Sequence, residues 1–207
     1  MPFIGLNPQG VRLTPSPTAS NTTTATTNGS APLNTLVDTA TATNLPGMVA
    51  CFKDAQGQIS WLAYTQAQAS IVYGKALIRA AGFLSTATGV ASTVVKSGYD
   101  CNVVVTATTT YGLTTGNFAG VAAASVSNTG AYFWRYISGF VPEALCATAA
   151  ASGKIIYLSG SVAGNLTPAP VDNATQTGTS VTAVGVMLGL APAAGGLASV
   201  YLTGWYL

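Results

Sequence analysis

Side chains able to do chemistry are few in this 207-residue sequence, and they stand far apart. Histidine, the commonest general base and metal ligand, does not occur. The carboxylates Asp38, Asp54, Asp100, Glu143 and Asp172 are at least 16 residues from one another, so spacing marks no acid–base pair. A Ser or Cys nucleophile would need lysine as its base, as in Lys96-Ser97, and two adjacent residues on a turn read as solvated loop. A glycosidase would need Asp100 beside Glu143, which nothing in the spacing supports. The stretch GLTTGNFAG has the glycines of a phosphate loop without its lysine or a parallel-strand context. Cys51, Cys101 and Cys146 form no CxxC pair, zinc spacing or even-numbered disulfide set, and read as small apolar core or strand residues. The expectation is a chain that is not an enzyme and carries no cofactor or metal.

Charge points the same way. Charged residues make up 6% of the chain, against roughly 25% in ordinary globular proteins. The net charge of +2 is spread over Arg12, Lys53, Lys75, Arg79, Lys96, Arg135 and Lys154, with no basic run to neutralise successive phosphates, so nucleic acid is not an expected partner. A surface this poor in charge has little self-repulsion and tends to associate. Four N-x-[ST] sequons, at Asn21, Asn28, Asn165 and Asn173, are what chance gives where threonine is so common.

What must position these residues is β structure behind an arm. Residues 1–46 hold six of the ten prolines, eleven threonines between Thr14 and Thr43, and no aromatic residue after Phe3. Such a segment cannot close a core of its own and reads as an extended arm, with Phe3, Ile4, Leu6, Leu33, Leu36 and Val37 as apolar anchors for a neighbouring surface. From Gly47 onward short apolar runs alternate with Gly, Asn, Asp and Ser. MVACF-KDAQG-QISWLAY reads as a hairpin, and further strands are expected over 91–95, 101–107, 131–137, 155–158, 181–188 and 197–202. Only residues 66–81 have enough Ala and Gln to compete as a helix, and Gly74 weakens it. The uncharged end, 181–207, contains Gly185 and Gly189 in GxxxG spacing. Pro192, Gly195 and Gly196 divide it into two strands instead of one membrane span. The N-terminus lacks a basic start followed by an unbroken apolar run, so synthesis in the cytoplasm is expected.

An internal repeat is visible. At an offset of 65, Gly120-Val121 aligns with Gly185-Val186, Gly130 with Gly195, and Tyr136-Ile137-Ser138-Gly139-Phe140 with Tyr201-Leu202-Thr203-Gly204-Trp205. At an offset of 79, Gly74-Lys75-Ala76-Leu77 aligns with Gly153-Lys154-Ile155-Ile156, leaving about fourteen extra residues in the first copy. The expected fold class is all-β, a compact barrel- or sandwich-like body of two related modules, 47–140 and 141–207, behind the arm. On the strand 131–137 alternation puts Tyr132, Trp134 and Tyr136 on one face, for core or subunit-interface packing or, with Trp205 and Tyr206, for sugar stacking. Phe133 and Arg135 fall on the other, where Arg135 could pair with an acidic group of a partner.

Two strings in these copies resemble a known family. AGVAAASVSNTGAYFWRYISG, a GV strand, an Asn-Thr-Gly turn and an aromatic strand, is similar to the signature of tailed-bacteriophage capsid decoration (cement) proteins. AVGVMLGLAPAAGGLASVYLTG resembles the way those proteins close, and Gly153-Lys154-Ile155-Ile156 resembles their glycine turn before a strand. The resemblance covers roughly residues 66–207. It implies a virion structural protein, commonly a homotrimer, on the outer capsid surface, with the major capsid protein as its partner and no membrane or nucleic acid. The long arm and the doubled module depart from the simplest members. Candidate capsid or subunit contacts are Phe3, Ile4, Leu6, Leu33, Leu36, Tyr132, Trp134, Arg135 and Tyr136. The alternative function is a receptor- or glycan-binding β module of a phage fibre or adhesin.

Overall fold

The computed structural model describes residues 12–14, 30–32, 37–38, 42, 44–53, 57–80, 103–107, 118–168, 183–189, 194–204 and 206. Every regular element among them is a strand. In chain order they are β1 (Arg12–Thr14), β2 (Ser30–Pro32), β3 (Val37–Asp38), β4 (Val49–Lys53), β5 (Ile59–Ala67), β6 (Ala76–Arg79), β7 (Val103–Thr106), β8 (Phe118–Ala122), β9 (Tyr132–Leu145), β10 (Ile155–Leu158), β11 (Leu166–Thr167), β12 (Gly185–Met187) and β13 (Leu197–Leu202). β1 and β2 pair with each other in parallel, and the other eleven strands form one sheet.

That sheet closes on itself twice. β5 pairs β9, β9 pairs β8, β8 pairs β6, β6 pairs β7, and β7 returns in parallel to β5. The second ring runs β9, β13, β12, β10, β11, and a parallel bridge from Leu166 to Cys146 brings it back to the end of β9. Closure leaves few unpaired strand edges.

The sequence offsets are also offsets of pairing. Val121 stands opposite Tyr136 and Val186 opposite Tyr201; Ala76 stands opposite Val121 and Ile155 opposite Val186. The Gly74 amide donates to the Ala122 carbonyl, as Gly153 does to Met187. Gly130 and Gly195, with φ of 87° and 75°, make the turn before each closing strand, a conformation that a side chain would disfavour. Their amides donate to the Ala67 and Cys146 carbonyls, each at 2.7 Å. Ala67 and Cys146 are thus equivalent, and the first half of β9 closes one ring while its second half opens the next. Pro142 lies in this 14-residue strand near the point where the register with β13 shifts, between Ala198 and Val200. A residue without an N–H is tolerated at such an irregularity.

The ring interiors are filled in complementary ways. Ala67, Leu77, Val104, Ala119, Ala122 and Phe133 cluster in the first; their equivalents, Cys146, Ile156, Leu166, Val184, Met187 and Ala198, are buried in the second. One large ring among alanines is exchanged for one alanine among larger side chains, so volume is roughly conserved. The cluster holding the second interior continues onto the outer face of the first ring through Leu62, Tyr64, Ala76, Val121, Trp134 and Tyr136.

The expected hairpin is present, β4 against β5 with Cys51 opposite Trp61. β10 and β13 fall on their expected residues, β7 and β12 within theirs, and the last stretch holds two antiparallel strands. No helix forms over 66–81. Gln66 and Ala67 end β5, Ile71 bridges to Val126, the chain turns at Gly74 with φ of 77°, and β6 follows. Non-local pairing overrides the helical preference of Ala and Gln. The strand expected at 91–95 and most of the arm lie outside the described residues; of the arm's later part, Val37 pairs opposite Phe133 on β9.

Candidate functional site

The aromatic strand is the first candidate, and β9 positions it. Tyr64 of β5 stands opposite Trp134, and its ring stacks on Tyr132 (5.8 Å, 13°) and tilts against Trp134 (5.3 Å, 58°). The alternation is as expected, with Trp134 and Tyr136 in one cluster and Phe133 in the other. Trp134 and Tyr136 are each only 1% exposed, so they pack inside this chain and present no ring to a capsid subunit or a sugar. Tyr132 is half-buried at the margin of the same cluster. Phe3, Ile4, Leu6, Leu33 and Leu36 lie outside the described residues.

Arg135 also corrects its expected role. It is fully buried, on the side of the strand away from the aromatic row, and Nη1 donates to the main-chain carbonyls of Ala119 and, at 2.5 Å, Tyr206. A buried guanidinium needs acceptors aimed at it, and here backbone oxygens supply them in place of a partner's carboxylate. Tyr206, expected from sequence as a sugar-stacking candidate beside Trp205, which lies outside the described residues, instead ties the two rings together. Its amide donates to the Ile137 carbonyl (3.1 Å), its hydroxyl to the Val184 carbonyl (3.1 Å), and its ring meets Phe118 edge-on at 4.5 Å. Burial raises its phenol above the ordinary tyrosine value.

The rings meet along a second seam built on the turn before β6. Lys75 Nζ donates to the Ala163 carbonyl (2.7 Å) and to Asn165 Oδ1 (2.6 Å), and the Ala76 amide donates to the Gly164 carbonyl (2.7 Å). Leu145 donates to the Gly74 carbonyl at 2.8 Å, and the Tyr73 hydroxyl hydrogen-bonds Glu143. Burial lowers the Lys75 ammonium below its ordinary value; burial, then the charges of Tyr136 and Glu143, raises Tyr73, and burial, then the Glu143 charge, raises Tyr136. Asn165, one of the four sequons, is 3% exposed and engaged with Lys75, so its amide is no free acceptor for a glycan.

The same turn in the second ring is open. Space for a Cβ on Gly74 is bounded by Leu197 Cδ2 at 3.1 Å and the Glu143 carbonyl oxygen at 3.4 Å, while Gly153 has nothing within 4 Å. Lys154, the equivalent of Lys75, is exposed.

Among the described residues no three His, Cys, Asp or Glu side chains group to hold a metal, and Lys96, Ser97 and Asp100 lie outside them. Cys51 is half-buried and Cys146 buried, the latter with its thiol pushed up to about 11 by burial, which disfavours the reactive thiolate. No helix of the described residues is long and apolar enough to cross a membrane. What the arrangement offers is a pair of closed rings built from a chain poor in charge. Comparison of the chain with protein-family models finds no match, and comparison with curated proteins finds none either.

Proposed function

We propose that this chain is a phage virion structural protein, a capsid decoration protein that binds and stabilises the assembled lattice of the major capsid protein. The observation that carries the reading is that the two strings resembling decoration proteins, residues 119–139 and 183–204, hold the same place in two closed rings, each a GV strand paired to a closing aromatic-ended strand. A charge-poor surface supports it, since such a surface can lie against many copies of a neighbour without desolvating unpaired charges. Binding only the assembled state stabilises that state by mass action, and an arm with apolar anchors adds contact area. The major capsid protein is the proposed partner, with self-association into a homotrimer on the outer virion surface.

The deciding experiment is quantitative mass spectrometry of purified particles. Copy numbers comparable with the major capsid protein are expected. Co-purification with tail structures, together with hits on a glycan array, would favour the receptor- or glycan-binding alternative instead. Deleting residues 1–40 is expected to leave the body folded and to reduce its occupancy on capsids; equal occupancy would remove the arm from the mechanism.

A further inference from the structure

Each ring carries one outward row across four neighbouring strands. In the first ring the row is Ala76, Val121, Tyr136 and Leu62, paired in that order. In the second it is Ile155, Val186, Tyr201 and Phe140, paired the same way. The first row is wholly covered, at 0, 0, 1 and 0% exposure, and it lies in one cluster with Val141, Ala144, Val200 and Leu202 of the second ring. The second row is open: Ile155 is 50% exposed, Tyr201 44%, and Val186 and Phe140 are partly buried. The turn beside each row follows suit, for Lys75 is engaged by Ala163 and Asn165 while Lys154 stands in solvent.

We propose that the row Ile155, Val186, Tyr201 and Phe140 is a docking face for a second copy of this chain. The molecule itself supplies the argument for that occupant. The equivalent row, on the same strands in the same register, is buried in one cluster with a module of this very sequence, and the second ring repeats the row with a larger apolar side chain at two positions and with Ile155 and Tyr201 about half exposed. Such a face, with a cation at its rim, fits the interface pattern of an apolar centre and a polar border. The inference deepens the proposed function by giving the self-association in that reading a surface.

The test uses the full chain alone, by sedimentation velocity over a concentration series. Wild type is expected to associate. Tyr201→Lys and Ile155→Lys are each expected to raise the association midpoint by roughly ten-fold or more, while Val72→Lys, at an exposed apolar residue outside the row, leaves it in place. If a lysine variant loses its β spectrum, amide exchange of the wild type gives the same reading, with β12 and β13 better protected at high concentration. A wild-type monomer throughout, association unchanged by both lysine variants, or protection independent of concentration overturns the proposal. Because no capsid is present, failure of lattice binding would overturn the proposed function without touching this result.

Discussion

The carbonyl of Tyr136 lies directly over Gly120, so close that a Cβ at Gly120 would overlap its oxygen and stand 3.0 Å from its carbon. Sixty-five residues on, the Tyr201 carbonyl lies over Gly185 in the same way. These are the glycines of the two GV strands, and what they share is proximity to the closing strand.

Gly120 also has a φ of 109°, whereas Gly185 is not in the left-handed region. Gly120→Ala therefore meets a clash and backbone strain together, and Gly185→Ala the clash alone. Losses of about 4 and about 2 kcal/mol are expected, read from the denaturant midpoint. Equal small losses would show that the strands separate without cost.

The interior exchange between the rings predicts an asymmetry. Phe133→Ala empties the first ring and is expected to cost about 3–5 kcal/mol. Ala198→Phe, the matching substitution at the equivalent site, overfills the second, already holding Met187 and Val184, and is expected to destabilise by about 1–3 kcal/mol. Urea titrations of both variants check this; a stabilised Ala198→Phe would reveal an unfilled second ring.

Lys75→Met removes the two hydrogen bonds to the 163–165 loop and leaves buried Asn165 without its cation. A loss of about 1–2 kcal/mol is expected, with faster exchange of the Ala76 amide, whose acceptor is Gly164. Lys154→Met, at the exposed equivalent, is expected to change the stability of the dilute chain by less than about 0.5 kcal/mol. Identical effects at both sites would mean that the seam is not held by Lys75.

Alkaline pH offers a fourth check. The Cys146 thiol is raised by burial from 9.0 to about 11, so the native state keeps a proton that the unfolded chain gives up first. Its contribution to stability is fully present below pH 9 and lost as pH rises through about 11. Cys146→Ala, which installs the residue of the equivalent site at Ala67, is expected to flatten the fall in melting temperature across that window. Tyr73 and Tyr136, also raised, keep their own later decline in both proteins. An unaltered slope would place the alkaline loss elsewhere.

Much of this architecture can be read from residue order, because turn glycines and alternating strands are local signals. β10, β13 and the hairpin partners follow from them, as does the repeat from Gly120 and Gly185. The shared strand could not be read so. Residues 65–67 match 144–146, and 62–63 match 140–141 across the register shift, without one identical residue, and Pro142 with Glu143 argued against a strand that only this shift makes possible. The site was less legible than the fold. Alternation placed Arg135 away from the aromatic row, but whether that side faces solvent or a closed interior depends on ring closure, a long-range property. Tyr206 stood out as an aromatic side chain, but its role in joining the rings was not legible, since its contacts at Ile137, Val184 and Phe118 are distant in sequence.

The continuous passage of β9 from one ring into the next has a thermodynamic consequence. A wall common to both rings cannot be withdrawn from one while the other stays closed, so neither has a melting transition of its own. Two barrels joined by a linker would give two calorimetric units; these should give one, and no protease cut within 132–145 should release a half that survives.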